Sequence, residues 1–213
     1  MSKKEILNNI LREKIVAIIR HPFEVGSIPT ALALRNGGIH VIEVTKSTPN
    51  VLSSIEELAK EKDIIIGVGS VTDTFFCQEV IAAGAQFVVT PNTKKAVIEV
   101  AKSHGKPIFS GAFTPSEIVD AFDYGADVVK LFPAGTLGPS YMRAIRGPLP
   151  HIPLMPTGGI QLSNAREWLN QGAVALGIGG SLVNPDWIRR GDFEKIKEQA
   201  EAFVSIVKGA EKK

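Results

Sequence analysis

Cysteine is nearly absent: Cys77 is the one thiol in 213 residues. A lone thiol excludes an intrachain disulfide framework and points to a reducing compartment, the cytoplasm. Cys77 sits in FFCQEVIAAG, on an apparent helix face, and reads as a small core residue. No apolar run reaches about 18 residues, so no membrane span is expected. The opening MSKKEILNNILREK lacks the apolar stretch of a signal peptide. It is amphipathic and reads as a short helix leading into the first strand. Lys and Arg are not massed in any run and the formal charge is +2, so nucleic acid is not an expected partner. His21, His40, His104 and His151 lack metal-ligand spacing, so no metal is expected. There is no G-x-S-x-G serine, no G-x-G-x-x-G opening a dinucleotide fold and no low-complexity stretch.

What is present is rhythm. Short apolar, β-branched segments recur at 14–20, 40–45, 63–69, 86–91, 107–111, 127–133, 153–159 and 174–180. Each interval holds one short helix and two loops. Within the intervals, EIVDAFDYG and SNAREWLNQG space apolar residues three and four apart, as helices do. Gly37, Gly84, Gly105, Gly125 and Gly172 each fall shortly before a segment, where left-handed glycines end helices. The segments themselves alternate little, as parallel strands covered on both faces should. Eight βα units without a linker predict α/β architecture: a single (β/α)₈ TIM barrel over 1–213. The alternative is an open doubly wound sheet. From about Asp192 the chain reads as one closing helix, with the terminal EKK frayed.

Barrel sites lie where strands end and βα loops begin. Lys130 interrupts the apolar VVKLF there. Burial disfavours an ammonium, and a neutral amine in a dry pocket is a nucleophile for imine formation. The blander alternative is an amine that snorkels to water. Glu43, in VIEVT, repeats the anomaly with opposite charge. It reads either as a proton shuttle or as a structural ion-pair partner. TGG at 157–159 and GIGGS at 177–181 follow strands seven and eight, where barrels often bind phosphate through backbone N–H groups, aided where a helix N-terminus follows. The alternative is that these glycines only make tight turns. Trp168 and Trp187 read as packing residues.

These pieces together resemble the class I 2-keto-3-deoxy-6-phosphogluconate (KDPG) aldolases and their 6-phosphogalactonate relatives. The carriers are VIEVTKSTP, GVGSV, FVVTPN, VVKLFPA, PTGGI and IGGSLV, in family order over nearly the whole chain. The resemblance implies a (β/α)₈ barrel, a homotrimer, no metal and no cofactor beyond a covalent imine on Lys130. It implies Glu43 as acid/base and small-molecule substrates: pyruvate and a 2-keto-3-deoxy phospho sugar acid. Substrate contacts would come from Arg20, Thr45, Ser47, Ser70, Pro91, Phe132 and Thr157. Phosphate would rest on Gly158, Gly159, Gly179, Gly180 and Ser181. Ser47 stands where the gluconate enzymes carry a carboxylate-holding Arg, with Lys46 beside it, and Arg20 is the replacement cation the sequence offers. Ser110 replaces a usual proline. TPN at 90–92 is similar to the galactonate branch, and Thr157 to the gluconate branch.

The expected reaction is cleavage of 2-keto-3-deoxy-6-phosphogluconate to pyruvate and glyceraldehyde 3-phosphate. The C4-epimeric galactonate substrate is the alternative, and 4-hydroxy-2-oxoglutarate a further substrate. Two rival readings differ in class. A phosphosugar isomerase or epimerase would form no imine, and a noncatalytic phosphate-binding protein would not need Lys130.

Overall fold

The computed structural model describes residues 1–210. The expected fraying of EKK lies outside them. The eight strands are β1 (Ile15–Ile19), β2 (Val41–Thr45), β3 (Ile65–Gly69), β4 (Phe87–Val89), β5 (Ile108–Ala112), β6 (Val128–Leu131), β7 (Leu154–Pro156) and β8 (Leu176–Ile178). Seven fall inside their apolar segments, and β5 runs one residue past its own, to Ala112. Every pairing is parallel, in the order β7-β6-β5-β4-β3-β2-β1-β8. A bridge between Thr157 and Gly177 joins β7 to β8 and closes the barrel. An open doubly wound sheet would leave two free edges, so that alternative is excluded.

The helices are α1 (Lys3–Glu13), α2 (Ser27–Asn36), α3 (Val51–Leu58), α4 (Thr74–Ala82), α5 (Lys95–Ser103), α6 (Pro115–Asp123), α7 (Gly138–Arg146), α8 (Ala165–Asn170), α9 (Pro185–Arg190) and α10 (Phe193–Ala210). Local chemistry starts several of them. Ser2 and Glu5 form a reciprocal capping box on α1, as do Thr114 and Glu117 on α6, where Pro115 also pre-sets the first turn. Asp73 caps α4 by accepting from the Phe76 N–H at 2.8 Å. Gly84, Gly105, Gly125 and Gly172 take positive φ, as expected of helix stops. Gly37 does not: its φ is −85°, and the left-handed residue is Gly38. Gly37 serves closeness instead, because a Cβ there would lie 2.6 Å from the Ala200 Cβ of α10.

Two cores result. Strand residues facing outward pack under the helices, with Cys77 and Trp168 among the buried side chains. Residues facing inward fill the lower barrel: Val16, Val41, Ile65, Phe87, Val89, Phe109, Val128, Met155 and Ala175. Ile6 and Ile10 of α1 join this inner cluster, one turn apart on the buried face, so α1 plugs the barrel's N-terminal end. Among the described residues, the barrel's interior is thus filled at this end and opens at the other.

Candidate active site

The strand period of two places the site's chemistry. On β2, Val41 points into the lower core, so Glu43 also points inward, one layer higher. On β6, Val128 does the same for Lys130. Both are buried, Glu43 completely and Lys130 to 4% exposure. Small residues make the room. A Cβ on Gly69 would run into the Glu43 carboxylate, one on Gly111 into the Pro91 backbone, and one on Gly177 into the Thr157 hydroxyl. In the sequence Gly69 and Gly177 stand only as parts of GVGSV and GIGGS. Their approach to Glu43 and Thr157 is a tertiary property.

Electrostatics sharpen the pair. Burial pushes the Lys130 amine below the ordinary lysine range. Glu43 pulls the other way and Arg20 adds to the lowering. The Lys130 Nζ lies 5.2 Å from the Phe132 ring centroid. Both Glu43 oxygens are buried without a hydrogen-bond partner among the described residues. A buried carboxylate lacking partners is costly, and in a native site such a group asks for a functional account. The blander sequence alternative, a close structural ion pair, is not what the geometry shows.

A cavity of about 460 Å³ opens over Lys130, while Glu43 stays outside its lining. Its wall includes Arg20, Lys130, Phe132, Thr157, Gly158, Gly159, Gly179, Gly180 and Ser181. The backbone N–H groups of Gly158, Gly159, Gly180 and Ser181 make no hydrogen bond within the described residues. Gly158 and Gly159 both have positive φ, which turns successive N–H groups toward one concavity. Such a cradle suits an anion. It rests on loop amides alone: α9 begins only at Pro185 and runs six residues. The Ser181 hydroxyl is already spent on the Ile160 carbonyl at 2.5 Å, tying the β7 and β8 loops together. Ser181 therefore offers its N–H rather than its side chain. Thr157 presents a buried hydroxyl without a partner.

Arg20, just past β1 and so next to the β8 side of the cradle, donates to the Ser70 hydroxyl at 3.3 Å. Ser70 holds a left-handed φ of 60°, unusual for a residue with a side chain and common where a site stores strain. Thr45, Ser47 and Pro91 do not line the cavity. Thr45 Oγ1 lies 3.2 Å from both the Ser47 and Thr48 hydroxyls, and Thr48 donates to the Ile19 carbonyl at 3.3 Å. This hydroxyl chain stitches the β2–α3 loop to the end of β1. Lys46 is drawn away to Asp73 at 2.7 Å. Thr48 was missed by sequence reading, because its partner Ile19 is 29 residues distant.

A barrel that buries an amine and a carboxylate near a cradle of free backbone N–H groups has the parts that imine chemistry on an anionic substrate needs. A family model for the KDPG and KHG aldolases matches residues 6–199. The 2-dehydro-3-deoxy-phosphogluconate aldolase of Dickeya dadantii (strain 3937) is 38% identical over 182 residues, spanning 84% of this chain and 85% of its own. The KHG/KDPG aldolase of Escherichia coli (strain K12) is 37% identical over 185 residues, spanning 85% and 86%. Among solved structures, KDPG aldolase from Legionella pneumophila, with pyruvate captured at low pH as a covalent carbinolamine, has a TM-score of 0.83 at 30% identity over 89% of this chain and 93% of that one. The chain belongs to the KDPG and KHG aldolase family, a family of lyases.

Proposed function

We propose that this protein cleaves 2-keto-3-deoxy-6-phosphogluconate to pyruvate and glyceraldehyde 3-phosphate through an imine on Lys130. The observation that carries the reading is a buried amine, depressed in pKa, sharing one cavity with four unpaired backbone N–H groups. The neutral amine attacks the C2 ketone. Loss of water from the carbinolamine leaves a protonated imine, which serves as the electron sink. Glu43 removes the proton of the C4 hydroxyl, and the C3–C4 electron pair moves toward the imine. Glyceraldehyde 3-phosphate departs. The enamine takes a proton at C3, and water releases pyruvate.

The cradle of Gly158, Gly159, Gly180 and Ser181 holds the phosphate, with Gly179 shaping the turn. Arg20, braced by Ser70, meets the substrate carboxylate. Phe132 packs beside the imine, Pro91 backs the β4 loop, and Thr157 offers a hydroxyl to the sugar chain. Thr45 and Ser47 act by holding the β2–α3 loop. The imine makes a metal unnecessary, so this reading expects turnover to survive EDTA. It also takes the protein as a cytoplasmic homotrimer, the assembly carried by its resemblance to the family and checked by light scattering. The C4 epimer from the galactonate series and 4-hydroxy-2-oxoglutarate are slower substrates here, and rates on all three acids rank them.

The test is borohydride reduction in the presence of pyruvate, followed by peptide mass spectrometry. One 1-carboxyethyl group on Lys130, absent from K130A, supports the reading. Folded protein that gives no adduct in excess pyruvate overturns it in favour of an isomerase or a binding protein.

A further inference from the structure

The carboxylate end of the cavity is built unlike the rest. Glu43, Lys130 and Thr157 are buried. Arg20 is exposed. Besides Lys130, it is the one cation among the described residues lining the cavity. Ser47 is exposed and turned to Thr45, and Lys46 is held by Asp73 over the Phe76 ring at 4.5 Å. A ligand without a carboxylate would thus leave unpaired only a guanidinium that keeps Ser70 and water. A site rejects an analogue strongly when the analogue strands a buried polar group, by roughly 10⁴–10⁵-fold. An exposed charge that loses one partner discriminates far less, on the order of tenfold to a few hundredfold.

Neither other part of the machinery needs the carboxylate. The low pKa of Lys130 has its main cause in burial, not in substrate. The electron sink is the imine itself. What must match is the number of bonds between the carbonyl carbon and the phosphate-bearing carbon. In the 6-phospho-2-keto acid these are C2 and C6. In an aldopentose 5-phosphate they are C1 and C5, the same spacing.

We infer that the same site cleaves a 2-deoxy aldopentose 5-phosphate, which is the keto acid substrate with its carboxyl group formally replaced by hydrogen. This rests on the imine-aldolase reading above. The Lys130 amine and the C1 aldehyde condense with loss of water. Glu43 takes the proton of the C3 hydroxyl. The C2–C3 bond breaks, its electron pair flows to the imine, and C3 leaves as the aldehyde of glyceraldehyde 3-phosphate. The two-carbon enamine takes the proton back from Glu43 at C2, and water releases acetaldehyde. One sugar phosphate gives two aldehydes with no oxidant or further reactant.

The experiment supplies wild-type protein with 2-deoxy-D-ribose 5-phosphate and measures acetaldehyde and glyceraldehyde 3-phosphate, beside K130A purified identically and a pyruvate–borohydride trap on the same preparation. Expected is cleavage with kcat/KM about 10²-fold below that for the keto acid, lost in K130A. R20Q should narrow that gap, since it removes a contact only the keto acid makes. If pyruvate traps on Lys130 but the deoxy sugar is cleaved no faster than by K130A, the carboxylate is required and this inference falls while the aldolase reading stands. Cleavage persisting in K130A assigns the activity to a contaminant and also overturns it. If pyruvate fails to trap, the aldolase reading fails first.

Discussion

Gly69→Ala tests the Glu43 assignment without touching a charged group. A Cβ built on Gly69 would lie 2.8 Å from the Glu43 Cγ and nearer still to the carboxylate. Carbon atoms rest about 3.5–4.0 Å apart, so the glutamate side chain must retreat by roughly 1–2 Å. A misplacement of that size costs a reaction about 10²-fold. Overpacking costs about 1–3 kcal/mol of stability. For a chain of this length that lowers Tm by roughly 2–12 °C. The backbone at Gly69 is not in the left-handed region, so Ala adds no φ strain. The assay compares turnover with pyruvate trapping. The expected outcome is folded protein whose Lys130 still reduces onto pyruvate, with kcat down about 10²-fold. Folded G69A that turns over at the wild-type rate would refute Glu43 as the proton shuttle placed by its contact with Gly69.

Further outcomes follow from burial and titration. Lys130 has a depressed pKa in the fold, so the unfolded chain binds more protons there and stability rises with pH up to about 10.4. Lys130→Met, inactive, should lack that slope, and its stability difference from wild type should shift against it as pH rises from 7 to 10; parallel urea curves at both pH values would contradict the buried amine. Cys77 is fully buried with its thiol pushed up to about 11, so the native protein should resist iodoacetamide at pH 8 and react only on unfolding. Ile10→Ala in the α1 plug should cost about 2–5 kcal/mol while leaving the pyruvate adduct on Lys130 intact, because it opens a void at the barrel end opposite the site. Loss of trapping in that variant, with the fold retained, would mean the two ends are coupled.

The sequence by itself was enough for the order and kind of the elements. Hydrophobic period and left-handed glycines mark eight βα units, because those signals are local. Lys130 and Glu43 are legible for the same reason: a charge inside an apolar, β-branched run contradicts its own surroundings. The paired glycine turns after β7 and β8 are visible as a motif, though not which amides are left free. Tertiary structure decided the rest. Gly37 looked like a left-handed stop and is a contact point for α10, since sequence does not say which of two adjacent glycines turns the chain and which admits a neighbour. Ser181 is legible as part of the glycine turn, but not that its hydroxyl is bonded to Ile160 across two loops. Thr45 and Ser47 looked like substrate contacts and bond to each other, within a chain that Thr48 ties to the end of β1. Closure of the barrel, the retreat of Gly69 and Gly177 before Glu43 and Thr157, and the exposure of Arg20 beside a buried amine are all relations between residues far apart in the chain. Local pattern carries no distance, and burial is a property of the packed whole.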